Sequence, residues 1–110
     1  VDVRTNEHYT NAEIVEIFRK ELSCTVQPRS LLLNSSKIPL NHPIVMAAKA
    51  EGSELYGSPT VSDQAVMPFD SVKIGIGDSH RSHTADEFVY KHELEDGIEK
   101  YIRILSHLLI

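Results

Sequence analysis

The chain opens on alternating apolar and polar positions, Val1-Asp2-Val3-Arg4-Thr5, with two β-branched valines. That period of two predicts a half-buried strand, with Val1 and Val3 on one face and Asp2 and Arg4 on the other. The period then changes. Ile14, Ile17, Phe18 and Leu22 recur at helical spacing and predict one buried stripe. Thr10 or Asn11 caps this helix, and Glu13 stands three residues after Thr10, as in a capping box. Cys24-Thr25-Val26-Gln27 predicts a second strand, interrupted at Pro28, which has no N–H to give a ladder. Strand, helix and strand in this order predict half of a small α/β sandwich, with the valines packed under Ile14 and Phe18.

The stretch from Asn34 to Pro43 carries Ser35, Ser36, Pro39 and Asn41 and predicts a linker. Pro43 suits the first turn of the next helix, whose apolar positions are Ile44, Val45, Ala47 and Ala48. Gly52 suits its end. Glu54-Leu55-Tyr56 predicts a short strand, Gly57-Ser58-Pro59-Thr60 a turn, and Val61 to Phe69 mostly loop. Ser71 to Ile76 alternates as a further strand. Lys91 onward predicts the strongest helix, with Leu94, Ile98, Tyr101, Ile102, Leu105 and Leu108 on one face. The expected fold class is therefore α/β.

Composition narrows the function classes. The chain has 110 residues, about one domain's worth, with ordinary globular proportions of 41% hydrophobic and 25% charged residues. A net charge of −5 argues against a surface built to neutralise phosphates, so no nucleic-acid partner is expected. No apolar run approaches the roughly 18 residues of a membrane helix, so no membrane partner is expected either. Cys24 stands alone, reads as a small buried hydrophobe, and favours a reducing compartment, with a cytoplasmic location expected. The first residues lack the basic and apolar regions of a signal peptide. A start at Val1, inside what reads as a strand, suggests a piece of a longer chain.

The densest polar cluster runs from Gly75 to Glu87, directly after the strand expected at Ser71–Ile76. Two glycines permit close approach of a ligand, and His80, Arg81 and His83 stand among Asp78, Asp86 and Glu87. Imidazole is the commonest metal ligand, and carboxylates orient it or complete its site. The plain alternative is a solvated polar loop. Gly75-Ile76-Gly77 lacks the third glycine of a dinucleotide fingerprint and is followed by no phosphate-loop lysine. His8, His42, His92 and His107 read as surface or packing residues. Ser58 to Gln64 offers hydroxyls and Asp63 that either line a polar pocket or satisfy turn hydrogen bonds.

Three stretches, taken in order, resemble the C-terminal part of a known family. They are Val1-Asp2-Val3-Arg4, then Ser58-Pro59-Thr60-Val61-Ser62-Asp63, then Gly75-Ile76-Gly77 with His83-Thr84-Ala85-Asp86-Glu87. The family is that of the metal-dependent amidohydrolases and peptidases: acetylornithine deacetylase, succinyl-diaminopimelate desuccinylase, carboxypeptidase G and aminoacylase. The resemblance covers essentially the whole chain and is strongest to the acetylornithine deacetylase branch, which serves arginine biosynthesis. Val61 departs from the family's middle Thr, and Ile76 from its proline.

The resemblance implies a two-domain zinc-hydrolase architecture. Residues 1–36 would be the second half of a ferredoxin-like lid and dimerisation domain, and residues 37–110 the end of an α/β catalytic domain. It implies two divalent metal ions, zinc or cobalt, an N-acylated amino acid as substrate, and a homodimer formed through the lid. His83 matches the family's last metal ligand, and Arg4 its carboxylate-gripping arginine. Thr60, Ser62, Gly75 and Gly77 match positions beside the substrate. The remaining ligands and the general base have no match here, so the 110 residues alone are expected to be inert. The competing expectation is a non-catalytic α/β dimerisation or interaction module.

Overall fold

Thr10 starts the first helix as its spacing to Glu13 predicts. In the computed structural model, which describes residues Val1–Leu109, helix α1 runs Asn11–Glu21. The Glu13 N–H donates to Thr10 Oγ1 at 3.2 Å, and the Thr10 N–H donates back to Glu13 Oε2 at 2.7 Å. The Thr10 N–H, followed by the Thr10 hydroxyl, which donates to Glu13 Oε2 at 2.8 Å, holds the Glu13 carboxyl below its ordinary pKa. Helix α2 runs Pro43–Ala50 with Pro at its first position, and Gly52 just past its end takes a left-handed φ of 73°. Helix α3 runs Lys91–Ser106. Two short 3₁₀ turns, Asp63–Val66 and Ser79–Arg81, complete the regular structure of the described residues.

No strand forms among the described residues, which overturns the α/β expectation and with it the ferredoxin-like half and the α/β catalytic end. A strand exists only through a ladder, and its backbone groups need partners on a neighbouring chain segment. The stretches expected as strands, Val1–Thr5, Cys24–Gln27, Glu54–Tyr56 and Ser71–Ile76, carry no regular structure here. Val1 and Val3 are exposed rather than packed under α1. The α1 stripe is only half-formed: Ile14 and Phe18 are half-buried, while Ile17 and Leu22 are exposed. Cys24, expected inside, is also exposed.

The chain divides into two compact units. The first comprises Val1–Ile38 and Gly57–Ser71, the second Pro39–Tyr56 and Val72–Ile110. The first has no fully buried side chain and is stitched by polar bonds instead. Asn11 is its knot. Its N–H donates to Asn34 Oδ1 at 2.8 Å, its Nδ2 to the Leu33 carbonyl at 3.0 Å, and its Oδ1 accepts from Thr5 Oγ1 at 3.0 Å. Gln64 Nε2 ties the 3₁₀ turn to Ser71, donating to its carbonyl and its hydroxyl at 3.0 Å each.

The second unit holds the hydrophobic core. Ala47 and Ala48 of α2 pack with Ile104 of α3, flanked by Ile44 and Ile74. The Tyr101 hydroxyl donates to the Ile74 carbonyl, tying that segment to α3. This geometry turns the expected face of α3: Tyr101 is half-buried on it, as the spacing predicts, but most of its other apolar residues are not. Ile104 is 1% exposed, whereas Leu94, Ile98, Ile102, Leu105 and Leu108 face outward. At 100° per residue Ile104 lies about 120° around the helix from Ile98. The inward face is the one bearing Gly97, whose bare backbone lets Ile76 close in.

The accessible surface is 9319 Å² for 12.4 kDa. A folded monomer of that mass exposes about 6,100 Å², and two separate units of half that mass together about 7,400 Å². Much apolar surface is thus left uncovered, including Leu32, Leu40, Tyr56 and Phe69. No helix among the described residues is long and apolar enough to cross a membrane.

Candidate functional site

The loop from Gly75 to Glu87 is strained where the sequence motif lies. His83 and Asp86 have φ of 60° and 55°, and they are the non-glycine residues with positive φ among those described. Left-handed backbone costs an L-residue about 1–2 kcal/mol, so the surrounding bonds must hold it. Glu87 Oε2 accepts from the His83 N–H at 3.0 Å, and Thr84 Oγ1 donates to the Arg81 carbonyl at 2.6 Å. Glu87 therefore shapes the backbone at His83 rather than orienting its ring. The His83 ring is exposed and makes no hydrogen bond among the described residues.

Arg81 anchors this loop to α3. Its Nη1 donates to Glu93 Oε2 at 2.9 Å and its Nη2 donates to Glu93 Oε1. The guanidinium lies 4.9 Å from the Phe88 ring centroid and 5.3 Å from that of Tyr90. The paired carboxylate raises the Arg81 pKa, and Arg81, followed by the Tyr90 N–H, lowers that of Glu93. Gly77 closes the arrangement. Its φ is 79°, and a Cβ there would meet Val89 at 3.3 Å and Arg81 Nη2 and Glu93 Oε2 at 3.5 Å. Gly75 has open space where a Cβ would go. His80 is engaged elsewhere, its N–H and Nδ1 both on Asp78 Oδ1 at 2.9 and 2.8 Å. Those bonds, led by the backbone one, lower the Asp78 pKa.

The other expected site residues lie in the first unit. Arg4 Nη1 donates to the Pro59 carbonyl at 3.3 Å, and its Nε pairs with Asp2 Oδ2 at 3.3 Å. Its side chain is 63% exposed, and its Nη2 makes no hydrogen bond among the described residues. Thr60 Oγ1 shares a 2.7 Å bond with Ser58 Oγ, and Ser62 Oγ donates to Gln64 Oε1 at 3.1 Å. Arg4 and the Ser58–Ser62 loop are therefore brought together, while Gly75, Gly77 and His83 share the loop of the second unit. Surface depressions lined by Glu51, Arg103, Ser106 and His107, and by Tyr9, Ala12, Glu13, Glu16, Ile17 and Lys20, contain none of these residues.

Sequence reasoning placed Arg81 in the polar cluster but did not pair it with Glu93. Twelve residues apart, they share no helical or strand period, and only the position of Glu93 in the first turn of α3 hinted at a capping role. It also missed His42, whose Nδ1 accepts from the Ile44 N–H at 3.3 Å as the N-cap of α2. Comparison with protein-family models and with curated proteins returns no match.

The donor chemistry of His83, an exposed imidazole, fits one ligand position on zinc or cobalt. Among the described residues no three His, Cys, Asp or Glu side chains converge on a common point. Catalytic zinc takes about three protein ligands. Among the described residues, His83 alone would fill one such position.

Proposed function

We propose that the chain is part of a metal-dependent amidohydrolase that cleaves N-acylated amino acids, similar to acetylornithine deacetylase. Arg4 binds the substrate's free carboxylate beside the Ser58–Ser62 loop. His83 supplies one imidazole to a pair of divalent ions whose other ligands lie elsewhere in the protein. When bound, such ions polarise the scissile carbonyl and generate the water nucleophile. The chain's own residues bind and orient. Arg4 offers its free N–H groups as a fork for a carboxylate, and Thr60 and Ser62 place hydroxyls near its anchor.

One observation carries this reading. Arg4 and Pro59 are 55 positions apart and still meet, so two stretches that the resemblance ties to the substrate share one place. The uncovered surface supports a segment completed by further protein, whether the rest of the enzyme or a homodimer partner. A second reading, a non-catalytic interaction module, draws on the exposed stripe Leu94, Ile98, Ile102 and Leu105 of α3.

The test is hydrolysis by the product of the complete open reading frame that contains this chain. N-acetyl and N-succinyl amino acids are supplied with zinc or cobalt, with and without a chelator, and with the carboxylate free or amidated. Cleavage that needs metal and a free carboxylate is the expected result. A folded product that neither binds metal nor hydrolyses any of these amides contradicts the proposal and favours the interaction module.

A further inference from the structure

We propose that Arg81 is a positioning residue: through its fork on Glu93 it holds the strained Gly77–Tyr90 loop in the shape that presents the His83 imidazole. The inference rests on the reading of His83 as a metal ligand. Four observations converge on it. The Arg81 and Glu93 side chains are 16% and 21% exposed, far less than the Arg4–Asp2, Arg19–Glu16 and His80–Asp78 pairs. The guanidinium is held at both nitrogens of its fork and lies against two aromatic rings from the end of the same loop. Glu93 Oε2 also accepts from the Tyr90 N–H at 2.8 Å, so one carboxylate ties the loop's centre to its exit into α3. The entry is fixed as well, since a Cβ at Gly77 would stand 3.5 Å from both charged groups and the Arg81 N–H donates to the Asp78 carbonyl at 3.1 Å.

Two residues beyond Arg81, His83 sits in left-handed backbone with an exposed ring that nothing else among the described residues restrains. Such a conformation persists only where its neighbours over-determine it. The local restraints, Thr84 Oγ1 on the Arg81 carbonyl and the His83 N–H on Glu87, both lie inside the loop. Among the described residues, only the Arg81–Glu93 fork ties the middle of the loop to a helix by hydrogen bonds. Lysine would keep the charge and lose the two-point geometry.

The test uses the full-length protein with Arg81→Lys, Arg81→Ala and Glu93→Gln, and His83→Ala as reference. Hydrogen exchange of the Gly77–Tyr90 segment and of α3 is read beside zinc affinity. We expect the loop to lose protection in Arg81→Lys while α3 keeps its own. Zinc affinity should fall about 10–100-fold, the usual cost of removing a group that orients a metal ligand. Arg81→Lys guards against a failure of Arg81→Ala to fold. Unchanged loop exchange in Arg81→Lys, or loss of protection in α3 to the same degree, overturns the positioning role. If His83→Ala leaves zinc affinity intact, the ligand reading fails. Loop exchange then still decides whether Arg81 holds the loop.

Discussion

Ile76 lies against the backbone of Gly97 so closely that a Cβ at position 97 would stand 2.8 Å from Ile76 Cγ1 and 2.9 Å from its Cδ1. This contact lies on the inward face of α3. Gly97→Ala should therefore destabilise the protein, although alanine favours a helix interior over glycine by about 1 kcal/mol. In an Ile76→Ala background the clash is gone, and the same substitution should stabilise by about that amount. Thermal unfolding of the four proteins of this cycle checks the pair. Two equal effects of Gly97→Ala would show that Ile76 does not press on the helix.

Glu51 closes the second unit at its other end, accepting from Arg103 Nε and bonding His107 Nε2, both at 2.8 Å. The His107 bond, then that of Arg103, holds its carboxyl below the ordinary value of 4.5. A lowered folded-state pKa means the unfolded chain takes up the proton first. The contribution is then complete above about pH 4.5 and is lost as pH falls through and below it. Chemical denaturation from pH 7 down to 3 should show wild type exceeding Glu51→Gln at neutral pH, with the gap closing below 4.5. A gap independent of pH would remove the carboxylate from the account.

For Arg4 the expected signature is in substrate binding. Arg4→Ala should raise KM about tenfold or more, since hydrogen bonds to charged groups contribute about 1.5–3 kcal/mol. Arg4→Lys should recover only part of this loss. An amidated substrate should cost wild type the same factor and the alanine variant little more. If the two losses simply multiply, guanidinium and carboxylate are not partners.

The helices were legible because their signals are local. Thr10 with Glu13, Pro43, Gly52 and Lys91 act within a turn or two of the positions they mark. The strands were misread because alternation such as Val1 to Thr5 promises a strand only if another segment supplies the ladder, and none does among the described residues. The α3 face was legible at Tyr101 but not at Leu94, Ile98, Ile102 and Leu105, for a related reason. Its apolar residues outnumber the space beside α2, and a glycine that periodicity ignores lies on the face that turned inward. At the candidate site the residue types of Arg4 and His83 were readable, but the Arg81–Glu93 fork was not, because it joins a loop to a helix across no regular repeat.

Equilibrium metal binding by the full-length protein tests most directly the proposed role of His83 as a metal ligand. Wild type should hold two zinc ions per chain. His83→Ala should lose at least one of them, and His80→Ala, whose ring is already bound to Asp78, should keep both. Full zinc content in His83→Ala, or its loss in His80→Ala instead, would contradict the account.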